Sequence, residues 1–91
     1  MQQQTKTQSF TETENGITFD ITTSPTNGGV IVSIKVQENS KQKIDTLRDK
    51  NDLTYLRNFA GRKAFALNPN ARLITPTAEE YYEWQGQFDF T

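Results

Sequence analysis

The sequence contains neither cysteine nor histidine among its 91 residues. Without cysteine the chain has no disulfide, no thiolate nucleophile, and no zinc or iron–sulfur site of the usual kind. Without histidine it also lacks the commonest general base and transition-metal ligand. These absences remove the side chains that most enzymes rely on, and they predict a protein that is not an enzyme and holds no cofactor or metal.

Long apolar segments are absent as well. The chain begins with a Gln- and Thr-rich stretch that contains no apolar core of a signal peptide. Nowhere does an apolar run approach the roughly 20 residues that a membrane helix needs. We therefore expect a cytoplasmic protein with no membrane partner.

The apolar residues are just sufficient for one small core. Hydrophobic residues make up 33% of the chain, and a chain of this size buries roughly 60–65% of its unfolded surface. Most of the apolar side chains must therefore share a single core. The first residues show no hydrophobic periodicity, and we predict a flexible N-terminal tail over residues 1–9 and a single domain over residues 10–91.

Charge is unevenly distributed although the net charge is only −1. Residues 35–63 hold eight of the ten Lys and Arg residues against four acids, whereas residues 64–91 have a net charge of −3. A surface polarised in this way can steer an oppositely charged partner. The four acids within the basic stretch leave open a plainer reading, in which the same residues form a locally neutralised, solvated face.

A β-hairpin is the clearest local signal. Phe10–Glu14 and Ile17–Thr22 alternate in polarity, and Asn15-Gly16 lies between them. Asn-Gly is the preferred pair for a two-residue type I′ turn, because both residues tolerate positive φ. We predict a tight hairpin at this point.

Two further strands are predicted downstream. Val30–Val36 is rich in β-branched residues on both faces at its start, which is typical of a central strand. Lys43–Leu47 reads as a short edge strand whose lysine discourages edge-to-edge association. The first half of the chain therefore predicts a three- or four-stranded antiparallel meander.

The second half changes to helical spacing. A first helix is predicted from the positions of its apolar residues, with Asn51 or Asp52 as the N-cap and Gly61 just past its end; these apolar residues are Leu53, Leu56, Phe59 and Ala60. Residues 64–67 fit a helix and a strand equally well. Together with the meander, this pattern predicts an α+β fold in which two short helices from the C-terminal half pack on the sheet.

The second of these helices is predicted near the C-terminus. Thr77-Ala78-Glu79-Glu80 has the spacing of a capping box, so a helix is expected over residues 78–85 with a stop at Gly86. Five of the ten aromatic residues follow Glu80. They either close the core or form a contact surface; Trp84 is predicted to be buried and Tyr82 to be partly exposed.

An interaction module that binds a protein partner fits these features best, as an accessory or inhibitory factor of phage or bacterial type. Its predicted partner-binding residues are Lys41, Lys43, Arg48, Lys50, Arg57, Arg62, Lys63 and Tyr82. The alternative is a single-stranded nucleic-acid-binding protein that uses the basic segment 35–63, since bases stack on aromatic rings set among cations. The rings near these cations are those of Tyr55, Phe59 and Phe65, although Phe59 and Phe65 are rather expected in the core. The sequence leaves a homo-oligomer open.

Overall fold

The structure is a computed structural model, and it describes residues 6–47 and 54–90. The elements in these two ranges are β1 (Gln8–Glu14), β2 (Ile17–Thr26), β3 (Gly29–Val36), α1 (Lys41–Leu47), α2 (Thr54–Leu67), β4 (Arg72–Glu79) and β5 (Glu83–Asp89). A single 3-10 turn, Glu38–Ser40, leads into α1. The predicted α+β class is confirmed. The strands number five instead of three or four, two of them come from the C-terminal half, and α1 lies in the middle of the chain.

All five strands form one antiparallel sheet in the order β1-β2-β3-β5-β4. The predicted central position of β3 is confirmed. From β3 the chain passes through both helices to the outer strand β4, and β5 then returns into the space between β4 and β3. The sheet edges within the described residues are β1 and β4.

The N-terminal hairpin has the predicted turn. Asn15 has a φ of 54° and Gly16 a φ of 79°, and the register runs from the pair Glu14–Ile17 outward to Gln8–Thr23. Strand β1 begins at Gln8, within the segment predicted as a tail. Residues 1–5 of that segment lie outside the described residues.

The core lies between one face of the sheet and the helices. In β2, β3 and β5, alternate residues are buried, as the period of two requires, and each helix contributes one apolar face. The ring of Phe59 in α2 stacks on that of Phe19 in β2 with centroids 4.3 Å apart. The buried apolar residues are Ile17, Phe19, Ile21, Val30, Val32, Ile34, Val36, Ile44, Leu56, Phe59, Ala60, Ala64, Trp84 and Phe88.

Hydroxyl and amide groups dominate the other face of the sheet. Neighbouring strands are linked there by side-chain hydrogen bonds, with Thr13 and Thr18 2.9 Å apart and the Ser33 hydroxyl donating to Gln85 at 3.2 Å. The strand register places no aromatic side chain on this face of β1, β2, β3 or β5. These four strands therefore present no ring on this face on which a base could stack.

The predicted edge strand over residues 43–47 is wrong, because this segment is the helix α1. Both sides of β3 are already occupied by β2 and β5, so no sheet edge is available next to it. The preceding turn is fixed instead by the Thr18 N–H, which donates to the buried Ser40 hydroxyl at 2.9 Å. A helix then lets Ile44 enter the core while Lys41 and Asp45 share another face.

Helix α2 continues past the predicted stop at Gly61 and ends at Leu67, so residues 64–67 are helical. A mid-helix glycine costs about 1 kcal/mol relative to alanine, which is less than the gain from burying Ala64 and the packing around it. Pro69 disfavours helical geometry at the residue before it, and the helix ends there. The predicted N-caps, Asn51 and Asp52, lie outside the described residues.

The predicted helix over residues 78–85 is wrong, since β4 and β5 occupy this region. Trp84, Gly86 and Phe88 are buried at alternate positions, and this period of two outweighs the capping-box pattern. Gly86 does not stop a helix, because it lies in the middle of β5. The predicted burial of Trp84 is confirmed, with 1% of the residue exposed.

Gly86 and Gly61 provide a matched test of this packing. A Cβ at Gly86 would overlap the Trp84 ring, whereas a Cβ at Gly61 would meet no atom within 4 Å. We expect Gly86→Ala to destabilise the fold by about 1–3 kcal/mol through overpacking. Gly61→Ala should stabilise it by about 0.5–1 kcal/mol. Urea unfolding followed by Trp84 fluorescence measures both, and equal effects from the two variants would contradict the packing described for Trp84.

Candidate functional site

The structure places six of the eight predicted partner-binding residues. Arg48 and Lys50 lie outside the described residues. Lys41, Lys43 and Tyr82 lie around α1, and Arg57, Arg62 and Lys63 lie on α2.

Tyr82 and Lys41 take part in contacts that hold α1 in place. The Tyr82 hydroxyl donates to both carboxylate oxygens of Asp45, at 2.9 and 3.0 Å. The Lys41 ammonium lies 4.8 Å from the centre of the Tyr82 ring and 3.0 Å from a Glu38 carboxylate oxygen. These contacts connect α1 to the turn between β4 and β5. The polar groups of both residues are thus engaged within the chain.

Two cations of α2 pair with acids of β1. Arg62 Nη2 donates to Glu14 at 2.9 Å, and Lys63 Nζ donates to Glu12 at 2.6 Å. Both cations also lie over the ring of Phe59, at 5.4 and 4.9 Å from its centre. The positive charge of this part of the basic stretch is therefore largely balanced by the acidic N-terminal strand.

Arg57 points toward the other edge of the sheet, where it contacts Glu79 of β4. Its Nη2 and Nε donate to one Glu79 carboxylate oxygen at 2.8 and 3.2 Å, and Trp84 Nε1 donates to the same oxygen at 3.3 Å. The hydrogen bonds from Arg57, followed by that from Trp84, lower the pKa of Glu79 below its usual range. Glu79 is thus held as an anion with a structural role, instead of being poised to exchange a proton.

A shallow groove of about 540 Å³ lies beside this ion pair, on the solvent side of α2. We call it the α2–β4 groove, and its lining residues are Arg57, Asn58, Gly61, Arg62, Phe65 and Leu73. Phe65 is 59% exposed. Gly61 lies one turn before Phe65, and the space where its Cβ would stand is open. The groove therefore combines an uncovered aromatic ring, a glycine that leaves room beside it, and two guanidinium groups.

Sequence reasoning identified only part of this groove. Arg57 and Arg62 were among the predicted partner-binding residues. Phe65 was expected in the core together with Phe59, and this expectation is wrong for Phe65, which is exposed because it lies on the side of α2 opposite to Phe59 and Ala60.

Gly61 and Leu73 were missed. A helix that ends at Gly61 does not place Gly61 and Phe65, which are four residues apart, on the same helix face. The spacing of four residues was the signal in the sequence that could have placed Gly61 beside Phe65.

Within residues 6–47 and 54–90, no three acidic, histidine or cysteine side chains gather closely enough to hold a metal ion. The helices of these two ranges are too short or too polar to cross a membrane.

Comparisons of the chain with protein-family models, curated proteins and solved structures find no match.

The lowered pKa of Glu79 predicts how stability varies with pH. Folding favours the ionised carboxylate, so its contribution is present above the unfolded-state pKa and disappears as the pH falls through the lower folded-state pKa. Glu79→Gln should therefore lower the Tm at pH 7, and the difference in Tm from the parent protein should close as the pH falls through the lowered folded-state pKa of Glu79.

Glu83→Gln provides the control for this pH test. Glu83 lies on the neighbouring strand, and its ion pair with Lys35 is exposed and 3.8 Å long, so this variant should change the Tm little at pH 7. Thermal unfolding followed by circular dichroism measures all three proteins. A Glu79→Gln gap that stays constant across the range would contradict the described contacts of Glu79.

Proposed function

We propose that this protein is a non-catalytic interaction module that binds a protein partner through the α2–β4 groove, and so acts as an accessory or inhibitory factor. The observation that carries this proposal is the exposed ring of Phe65 in a groove rimmed by Arg57 and Arg62. Aromatic and arginine side chains are over-represented among the residues that dominate protein–protein binding energy.

The exposed ring supplies the main driving force. Burying a large apolar side chain on association is worth about 1.5–3 kcal/mol. The open space beside Gly61 lets a partner side chain approach the flank of the Phe65 ring and the helix backbone. Leu73 extends the apolar lining toward β4. A partner that inserts an apolar side chain here would cover the Phe65 ring and fill the open space beside Gly61.

The two arginines supply orientation. A guanidinium group carries five N–H donors in a fixed plane. Arg57 uses Nε and Nη2 on Glu79, and Arg62 uses Nη2 on Glu14. Donors on both groups remain for carbonyl or carboxylate oxygens of a partner. Each guanidinium already faces a carboxylate, so the positive electrostatic potential of the groove is weak. We therefore expect the affinity for a partner to depend more on the apolar contact than on charge.

The same contacts favour a protein over single-stranded nucleic acid, the alternative partner of segment 35–63. Of the aromatic residues interleaved with the cations, Phe59 is fully buried and Tyr55 stacks against Phe19 with centroids 6.4 Å apart. Only Phe65 presents an exposed ring from this set. Nucleic-acid binding draws its affinity from unpaired cations that replace counterions, and the described cations of α2 are paired with acids.

Site-specific photo-cross-linking tests the proposed function. Benzoylphenylalanine replaces Phe65 in one variant and Ile74 in a control variant, and each is irradiated in a lysate of the source cells. Ile74 is also an exposed apolar residue, at 55%, but it does not line the groove. We expect a cross-linked species at position 65 that a protease degrades and a nuclease does not. A nuclease-sensitive species would favour the nucleic-acid alternative.

Phe65→Ala gives the quantitative prediction. Because Phe65 is exposed, its truncation should change the free energy of unfolding by less than about 1 kcal/mol. Affinity for the captured protein should fall by about 2 kcal/mol, which is roughly 30-fold. Calorimetric titration measures the affinity, and Ile74→Ala should leave it unchanged. Equal losses in the two variants would contradict a site centred on Phe65.

A further inference from the structure

The two edges of the sheet are built differently. On β4, Pro76 lacks an N–H, and the pairing with β5 shifts register between Leu73 and Thr75 and again between Pro76 and Ala78. Prolines and bulges of this kind protect an edge from pairing with another strand. In contrast, β1 keeps an unbroken register over seven residues and contains no proline, glycine or lysine. Among the described residues, no strand pairs with its second side.

The acids of β1 do not protect its edge either. Charges on an edge strand discourage association when they remain unpaired. The carboxylates of Glu12 and Glu14 are instead bound by Lys63 and Arg62 on the helix-covered side of the sheet. The remaining side chains of the strand are neutral.

The backbone groups at this edge follow from the neighbouring strand. The Thr18 N–H donates to Ser40 and its carbonyl accepts from Gln37 N, so both groups point away from β1. Thr13, the partner of Thr18, therefore belongs to a non-hydrogen-bonded pair. Since such pairs alternate with hydrogen-bonded ones, the N–H and C=O groups that project from the outer edge of β1 belong to Ser9, Thr11 and Thr13.

We propose that β1 is a self-association edge, on which a second copy of this chain adds its own β1 in antiparallel orientation about a two-fold axis at Phe10. In this register Ser9 of each copy pairs with Thr11 of the other, and both present outward-facing backbone groups. Phe10 of one copy lies opposite Phe10 of the other in a non-hydrogen-bonded pair, where opposing side chains are closest. Phe10 is 42% exposed in the single chain, and this pairing covers it.

The side chains of the strand are also compatible in the same register. The positions related by the two-fold axis bring Gln8 opposite Glu12, so that an amide donor faces a carboxylate. This pair occurs twice, as an isologous interface requires. On the hydroxyl-rich face, Ser9 opposite Thr11 continues the rows of hydrogen-bonded Ser and Thr side chains that already cross β1 and β2. This self-complementarity favours a second copy over a strand of another protein.

The proposed dimer is weak and independent of the α2–β4 groove. Seven residues of strand span about 24 Å, and an interface built on one strand pair falls below the roughly 1,200 Å² of standard complexes. We expect a dissociation constant between about 10 µM and 1 mM. Strand β4 is at the opposite edge of the sheet, so dimerisation through β1 leaves the β4 side of both grooves uncovered. Arg62, which also lines the groove, stays bound to Glu14 of its own β1.

Sedimentation equilibrium between about 10 µM and 1 mM tests the proposal. The parent protein should shift from 10.4 kDa toward twice that mass as concentration rises. Phe10→Lys should weaken dimerisation at least tenfold by placing two ammonium groups opposite each other. Ile74→Lys, the same change at an exposed apolar residue of the other edge strand, should leave dimerisation unchanged.

Thr11→Pro provides a second, independent variant. Proline at position 11 removes an N–H that points away from β2, so the hairpin keeps its internal hydrogen bonds while the outer edge loses a donor. It should also abolish the mass shift, with a circular dichroism spectrum like that of the parent. A parent protein that stays monomeric to 1 mM, or a loss of dimer with Ile74→Lys alone, would overturn the proposal.

Discussion

The rest of the fold depends on the packing and hydrogen bonding of the Trp84 side chain. Its ring lies over Gly86 in its own strand, packs against Phe88 at a centroid distance of 6.0 Å, and donates from Nε1 to Glu79 on β4. Glu79 in turn receives two hydrogen bonds from Arg57 on α2. One side chain thus ties together the central part of the sheet, its outer strand and the longer helix. In a chain with 33% hydrophobic residues, such a junction limits how far the helix layer can shift over the sheet.

The elements that could be predicted from the sequence are those whose cause is local. Asn15-Gly16 favours one turn geometry regardless of what surrounds it, and the β-branched run of β3 has few alternatives. The sequences of the segments predicted wrongly are compatible with both a helix and a strand. Residues 77–80 match a capping box, yet the alternation of Trp84, Gly86 and Phe88 places the following residues in a strand. The choice is made by burial across the sheet, which local spacing does not contain.

The candidate site shows the same limit. Arg57 and Arg62 could be selected because cations concentrate in the middle of the sequence. What could not be foreseen is that their charges are balanced by Glu79 and Glu14, which are 22 and 48 residues away in sequence. The uneven distribution of charge along the sequence therefore stabilises the fold, because cations of α2 form ion pairs with acids of the outer strands β1 and β4. Gly61 and Leu73 carry no charge pattern, and only the course of α2 and β4 brings them beside Phe65.

Among the described residues, the helices cover one face of the sheet, and this divides its side chains into two classes. On the helix side, each strand residue meets a neighbour whose volume it must match, and substitutions there carry the cost of cavities or overpacking. On the hydroxyl-rich side, substitutions away from special contacts alter stability by no more than about 0.5 kcal/mol. That face can therefore accumulate sequence changes with little effect on folding. New surface chemistry can therefore arise on the hydroxyl-rich face by substitution while the core of this small domain stays unchanged.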